Sequence, residues 1–323
     1  MPSAFRILFN AATLVPGVAS LPPVRHRLAT ETLGTGGSTS ARYCYSVWLR
    51  HLITAARNGL NTSPRNVAEI GPGDSLGVGL TALLTGAERY YAFDVMEHAS
   101  TEHNLHVFDA LVELLSARVA VPDDREFPNV VPRLPDYEFP YEILTPARLR
   151  ATLAPARVAR IRAALQDSAS RDSLIMYRAP WFDAGLIEHG SIDMLFSQAA
   201  LEHVDALSEM YAAMHAWLAP DGLLSHSVDF KSHGFAEEWN GHWAYSDLMW
   251  KVVRGKAVWA INREPWSRHV QYLKEAGFSI VYAEVTHRES NIARARFAAR
   301  YRIGPKTDLT TSDVLYQAAK TRQ

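Results

Sequence analysis

Cysteine is almost missing from this chain: Cys44 is the only one in 323 residues. An internal disulfide is therefore excluded, and with no charged-then-apolar leader at the start a reducing, cytoplasmic setting is expected. Net charge is equally scarce, since 33 basic residues face 34 acidic ones for a total of −1. No global field recruits nucleic acid, so a nucleic-acid partner is not expected without a local patch. Long apolar runs are absent too. The most apolar early stretch, residues 7–23, is broken by Asn10, Pro16, Pro22 and Pro23 and is too short to be a transmembrane segment. It is expected to lie against the body of the protein or to touch a membrane surface. Internal repeats and low-complexity tracts do not occur, and the oligomeric state stays open. What remains, 48% hydrophobic and 21% charged residues, is the balance of a globular protein with one large core or two smaller ones.

Apolar residues Val47, Leu49, Leu52, Ile53 and Ala56 recur at helical spacing and predict a helix over 41–58, set off from an N-terminal arm by the glycine-rich stretch 34–38. Beyond it, strand and helix patterns alternate. Strands are predicted at 66–70, 90–94, 174–177, 192–197 and 222–229, with helices at 76–84 and 207–218. A helix at 266–276 and strands at 279–286 and 313–318 follow. Such alternation implies a parallel sheet covered on both faces. About eighty residues separate the second strand from the third, too many for one crossover helix. This insert, about 100–172, holds helical patterns at 107–119 and 146–165 around the proline-rich run 121–140. It reads either as a cap over the active site or as a packing appendage. The division expected is thus an arm with a cofactor-covering helix over 1–60 and a main domain over 61–323.

The stretch NVAEIGPGDSLG, residues 66–77, is a strand running into a glycine turn. Glycines there let a ligand approach the backbone, and the next helix aims its positive end at the same space. In a dinucleotide-binding GxGxxG turn that end carries a pyrophosphate. Gly71 and Gly73 fit, but Leu76 occupies the third position and the glycine comes one residue late, at Gly77. Glu69 and Asp74 flank the turn, and carboxylates would repel a pyrophosphate while suiting an ammonium and a sulfonium. Asp94 ends the second strand 21 residues past Gly73, where a carboxylate accepts both ribose hydroxyls of a nucleoside.

With the later block SIDMLFSQAALEHV, residues 191–204, this arrangement resembles the class I S-adenosylmethionine-dependent methyltransferases, in particular those carrying a Leu-Glu-His tripeptide that opens a helix after the fourth strand. WLAPDG at 217–222 and EAGF at 275–278 resemble the next two junctions of that family. The resemblance covers residues 66–99 and 175–319. It implies a Rossmann-like, doubly wound α/β sheet of about seven strands, mostly parallel with an antiparallel last strand, and S-adenosylmethionine as cofactor. It further implies that Glu69, Gly71 and Gly73 meet the methionine and ribose parts, that Asp94 takes the ribose hydroxyls, and that Val95 or Met96 lies on the adenine. Ser197 and Gln198 would line the mouth near the methyl. The sequence departs from the pattern at Ser75, where a third glycine would fall, and after the third strand, where Arg178 and Ala179 stand in place of an acid.

Methyl transfer to a hydroxyl needs alignment and one base. His203, at the top of the fourth strand, is one candidate, and its competing role is to hold the helix start. A cluster after the fifth strand (His226, Asp229, Lys231, His233, then Glu237 to Tyr245) offers His233 and His242. A divalent ion on Asp229, His233 and His242 is weighed and set aside: the spacing matches no strict motif and imidazole suits hard cations poorly, so no metal is expected. Arg42 and Tyr43 either close over the cofactor, with 34–37 as hinge, or simply start the helix. The segment 288–323 carries eight Lys/Arg against three Asp/Glu. The function expected is O-methylation of a small hydroxylated metabolite, a sugar or natural product being the small-molecule acceptor. The alternatives are a nucleoside-binding RNA-modifying or regulatory protein and, behind it, a nicotinamide-dependent oxidoreductase, for which the sole Tyr-x-x-x-Lys runs from Tyr316 to Lys320.

Overall fold

The computed structural model describes residues 4–30, 37–167, 173–181, 184–257 and 260–321. Its centre is a sheet whose strands are β1 (Asn66–Ile70), β2 (Arg89–Phe93), β3 (Ile175–Arg178), β4 (Ile192–Gln198), β5 (Leu218–Asp229), β6 (Phe278–His287) and β7 (Thr311–Lys320). Their order across the sheet is β3-β2-β1-β4-β5-β7-β6. All pairs among β1 to β5 are parallel, and β7 runs antiparallel between β5 and β6. This is the Rossmann-like, doubly wound sheet that the sequence predicts.

Period-two alternation explains the two covered faces. Val67, Tyr90, Ala92, Met194 and Phe196 point to one side, into a core shared with α3 (Ala41–Arg57), α4 (Gly77–Leu84) and α5 (Thr101–Ser116). Ala68, Phe93, Leu195 and Leu224 point to the other, against α8 (Leu207–Trp217) and α10 (Trp266–Glu275). Asp193 at the start of β4 joins it to the chain entering β1 by accepting from Arg65 N and Asn66 N, both at 2.8 Å. The fifth strand begins at Leu218, earlier than expected, with a register shift between Ile192 and Met194 of its neighbour.

The remaining helices are α1 (Ala4–Ala12), α2 (Pro22–Thr30), α6 (Pro146–Thr152), α7 (Pro155–Gln166), α9 (Asp247–Arg254) and α11 (Ala299–Arg302). The arm docks on the body: Asn10 Nδ2 donates to Val253 O of α9 at 2.8 Å, and Lys256 N donates to Thr13 Oγ1 at 2.9 Å. Residues 34–36 of the expected hinge lie outside the described residues. Among the described residues, no helix is long and apolar enough to cross a membrane.

The insert, read either as a cap or as a packing appendage, adds side chains to the core. Val121, Val130, Leu134, Phe139, Leu144, Leu149, Ile161 and Leu165 join the core of the α3 face. Pro155 divides the predicted 146–165 helix into α6 and α7, having no N–H to continue the ladder. Arg148 donates to Thr85 O and Thr62 O, and Arg157 to Leu83 O, which fixes α6 and α7 where α4 ends and β1 begins. The proline-rich run is held by the buried Arg50, which donates to Asp124 Oδ1, Val130 O, Pro132 O and Pro122 O. Near the glycine turn, the insert's Glu126 and Phe127 meet Arg42 and Tyr43 of α3, and its Asn104 accepts from Leu76 N.

Candidate active site

The glycine turn is built as its residue types require. Gly71 and Gly73 adopt φ of 71° and 72°, the left-handed region that side chains resist. Gly71 N donates to Phe93 O at 2.8 Å, and a Cβ on Gly71 would come within 2.6 Å of the Ala200 Cβ. The turn after β4 is thus packed directly on the turn after β1. The late Gly77 has a different purpose, since a Cβ there would lie 2.4 Å from Cys44 Sγ, so it lets α3 approach α4. Burial pushes the Cys44 thiol up to about 12, which keeps it protonated.

Asp94 faces this turn. Its carboxylate accepts from Val95 N at 2.7 Å and from Gly73 N at 3.3 Å. Burial raises its pKa, against the pull of His98 and of these N–H groups. Val95 beside it is half-exposed. The amides that open α4 already have partners: Ser75 N donates to Ser38 Oγ, Leu76 N to Asn104 Oδ1 at 2.8 Å, and Gly77 N to Ser75 Oγ at 3.1 Å. Few N–H groups remain there for a phosphate.

Three of the expected cofactor contacts have partners within the protein. Glu69, 2% exposed, accepts from the Tyr90 hydroxyl beneath α4, and burial raises its carboxyl to about 8. Ser197, on the opposite face of β4 from Gln198, is fully buried with its Oγ 2.7 Å from His226 Nδ1. Arg42 is bound to Glu126 by two 2.6 Å hydrogen bonds. Gln198 stays at the strand end, its Oε1 3.2 Å from His51 Nε2 and its Nε2 3.3 Å from Ser227 Oγ. Met96 is only partly buried and its carbonyl accepts from Tyr177 Oη at 3.4 Å. Tyr43 packs edge-on against Phe127, 5.5 Å between centroids, close enough to both Glu69 and Glu202 to feel their charge.

The second cluster lies beyond the ends of β4 and β5, where open parallel sheets gather their ligands. The Leu-Glu-His tripeptide is a single 3-10 turn, Leu201–His203, and α8 begins only at Leu207. Glu202 is 3% exposed, and ligand atoms of Glu202, Asp229 and His233 all lie within 4.8 Å of one another. His233 Nε2 is 3.4 Å from Asp229 Oδ2, and Lys231 Nζ is 3.1 Å from Asp229 Oδ1. Burial works against charge on Asp229, yet His233 and Lys231 hold its carboxyl at about 2. Burial likewise lowers His233, but Asp229 and Glu202 outweigh it and the imidazole is raised. Burial pushes Glu202 up to about 8 despite His233. The His203 and His233 rings meet edge to face at 5.2 Å.

His242 is not part of this group of ligand atoms. It is 1% exposed beside Trp243, and burial together with the Arg263 charge drives its pKa well below the usual range. That removes it as an accessible base. Asn262, not singled out in the sequence, pins the tripeptide: its N donates to Glu202 O at 2.7 Å and its Nδ2 to Leu201 O and Val204 O, each at 2.8 Å. No sequence signal marks it, because it lies 60 residues downstream in an irregular segment. A surface cavity of about 350 Å³ lies behind Asn262, and another of about 580 Å³ opens at the opposite end of the sheet. Neither includes the cluster.

No protein-family model and no curated protein matches the chain. Among solved structures, it is similar to an S-adenosylmethionine-dependent methyltransferase from Mesorhizobium loti, at 16% identity over 83% of this chain and 97% of that one, with a TM-score of 0.38. It is also similar to Haemonchus contortus phosphoethanolamine N-methyltransferase 2, at 12% identity over 92% of this chain and 60% of that one (TM-score 0.43). A third is Burkholderia thailandensis 1,6-didemethyltoxoflavin-N1-methyltransferase, at 15% identity over 86% and 79% (TM-score 0.41). At these identities and scores no residue role is carried across from them.

Proposed function

We propose that the protein is an S-adenosylmethionine-dependent methyltransferase that methylates oxygen on a small hydroxylated metabolite. The observation that carries this reading is the pairing of a carboxylate at the glycine turn with closed amides. Asp94 stands across the glycine turn, while the α4 N-terminus is capped by Ser38, Asn104 and Ser75. Such a turn suits a nucleoside without a phosphate. The residues present fit S-adenosylmethionine: positive-φ glycines give it room, Asp94 would hold the ribose hydroxyls, and half-exposed Val95 offers apolar surface to the adenine. Glu69 acts through Tyr90 and the start of α4, shaping the turn from below rather than touching the ligand.

Bound S-adenosylmethionine would supply a methyl carbon activated by its sulfonium, the C–S electron pair remaining with the departing S-adenosylhomocysteine. The chain's part is to align the hydroxyl and to take its proton. The edge-to-face pair His203 and His233 offers two imidazoles, side chains able to act as a base, beyond the end of the fourth strand. Against the oxidoreductase alternative, Tyr316 is fully buried, its hydroxyl 2.7 Å from that of Tyr211. In the basic C-terminal stretch, Arg294 is spent on Arg302 O and Gly304 O, which weakens the RNA-binding reading. Calorimetry with S-adenosylhomocysteine and with NAD tests the proposal. Binding of the former alone is expected, and tighter binding of NAD overturns it.

A further inference from the structure

Glu202 is an unusual carboxylate. Only 3% of it is exposed, and neither oxygen has a hydrogen-bond partner of ordinary geometry. The N–H groups of Glu202 itself and of Asp229 ease its charge, but burial outweighs them. A carboxylate removed from water without donors costs several kcal/mol as an ion. It nevertheless points at a second carboxylate, Asp229, and at His233, all three presenting ligand atoms within 4.8 Å. Lys231 occupies Asp229 Oδ1, which leaves Oδ2, the oxygen 3.4 Å from His233 Nε2, turned into the cluster. The backbone holds this arrangement, because Asn262 fixes the Glu202 carbonyl side of the turn. Three donor atoms therefore converge from two loops, and neither oxygen of Glu202 has a hydrogen-bond partner of ordinary geometry.

We propose that Glu202, Asp229 and His233 hold one divalent transition-metal cation. Two carboxylates and one imidazole make a mixed oxygen and nitrogen set, which favours Mn²⁺, Fe²⁺ or Zn²⁺ over Ca²⁺, whose sites are built from six to eight oxygens. The expectation of no metal rested on Asp229, His233 and His242. The tertiary structure replaces His242 by Glu202, and with it the objection from spacing disappears. On the methyl-transfer reading above, on which this consequence alone rests, the ion would sit beside the acceptor. His233 then serves as a ligand and the proton falls to His203.

The test uses the full-length, untagged protein stripped of metal with a chelator. Mn²⁺ is titrated with electron paramagnetic resonance detection and Zn²⁺ by calorimetry. One ion per chain is expected for the wild type, at least a tenfold loss of affinity in Glu202→Gln and Asp229→Asn, and no change in His242→Gln. Circular dichroism and the unfolding midpoint of each metal-free variant separate lost ligands from lost folding; if Glu202→Gln does not fold, the Asp229→Asn result decides. No binding by the wild type up to about 1 mM metal, or equal binding by both ligand variants, overturns the proposal. S-adenosylhomocysteine binding is measured on the same samples. Cofactor binding without metal sinks the ion alone, and metal binding without cofactor sinks the methyltransferase reading alone.

Discussion

Replacing Asp94 with alanine is the most direct challenge to the cofactor assignment. The carboxylate accepts from Val95 N and Gly73 N at the glycine turn. A hydroxyl donating to a charged acceptor contributes roughly 1.5–3 kcal/mol. Two ribose hydroxyls sharing one carboxylate do not add fully, so the loss expected is about 2–4 kcal/mol, a rise in Kd of roughly 30- to 1,000-fold. Asp94→Asn retains an acceptor while losing the charge, and it is expected to fall between the wild type and the alanine variant. Calorimetric titration with S-adenosylhomocysteine measures both. The reasoning is refuted if Asp94→Ala binds within about twofold of the wild type while its circular dichroism and unfolding midpoint are unchanged.

Further predictions concern the frame around the site. Gly71→Ala places a methyl 2.6 Å from Ala200 Cβ at a positive φ, so chemical denaturation should register a loss of about 2 kcal/mol or more. Arg50→Met leaves the carbonyls of Pro122, Val130 and Pro132 without their donor; about 3 kcal/mol or more is expected to be lost, and a change under 1 kcal/mol would show that the insert does not depend on it. Burial raises the Glu69 carboxyl from 4.5 to about 8, so between these values the native state keeps a proton that the unfolded chain has released. Its contribution to stability therefore falls as pH rises through that window, by up to about 1 kcal/mol per pH unit. Glu69→Gln, which cannot titrate, should gain on the wild type in denaturant unfolding from pH 5 to 8, and parallel curves would disprove the assignment.

Much of this was legible without coordinates because its signals are local. Period-two apolar strands, a glycine pair after β1 and an acid ending β2 are short-range patterns, and residues 66–70, 192–198 and 207–217 form the elements that they spell. Proline breaks were readable too, although the one at Pro155 was passed over and turned one predicted helix into α6 and α7. What a side chain faces is less local. Ser197 and Gln198 are neighbours in the chain, yet strand geometry sends one to His226 in the core and the other to His51 of α3. The sequence shows that they differ in face but not which face opens on the site.

The amino-acid sequence by itself determined the sheet, its crossovers and the position of Asp94 relative to Gly71 and Gly73, since each depends on residues within one or two elements of each other. Only the tertiary structure decided that Glu202 meets Asp229 and His233, that Asn262 braces the turn carrying Glu202, and that the insert lies along α3 and α4. The Glu202 contacts join segments 27 to 60 residues apart in the chain and those of the insert segments up to about 80 apart, and Glu202 meets Asp229 and His233 because parallel pairing of β4 with β5 brings both C-terminal loops to the same edge.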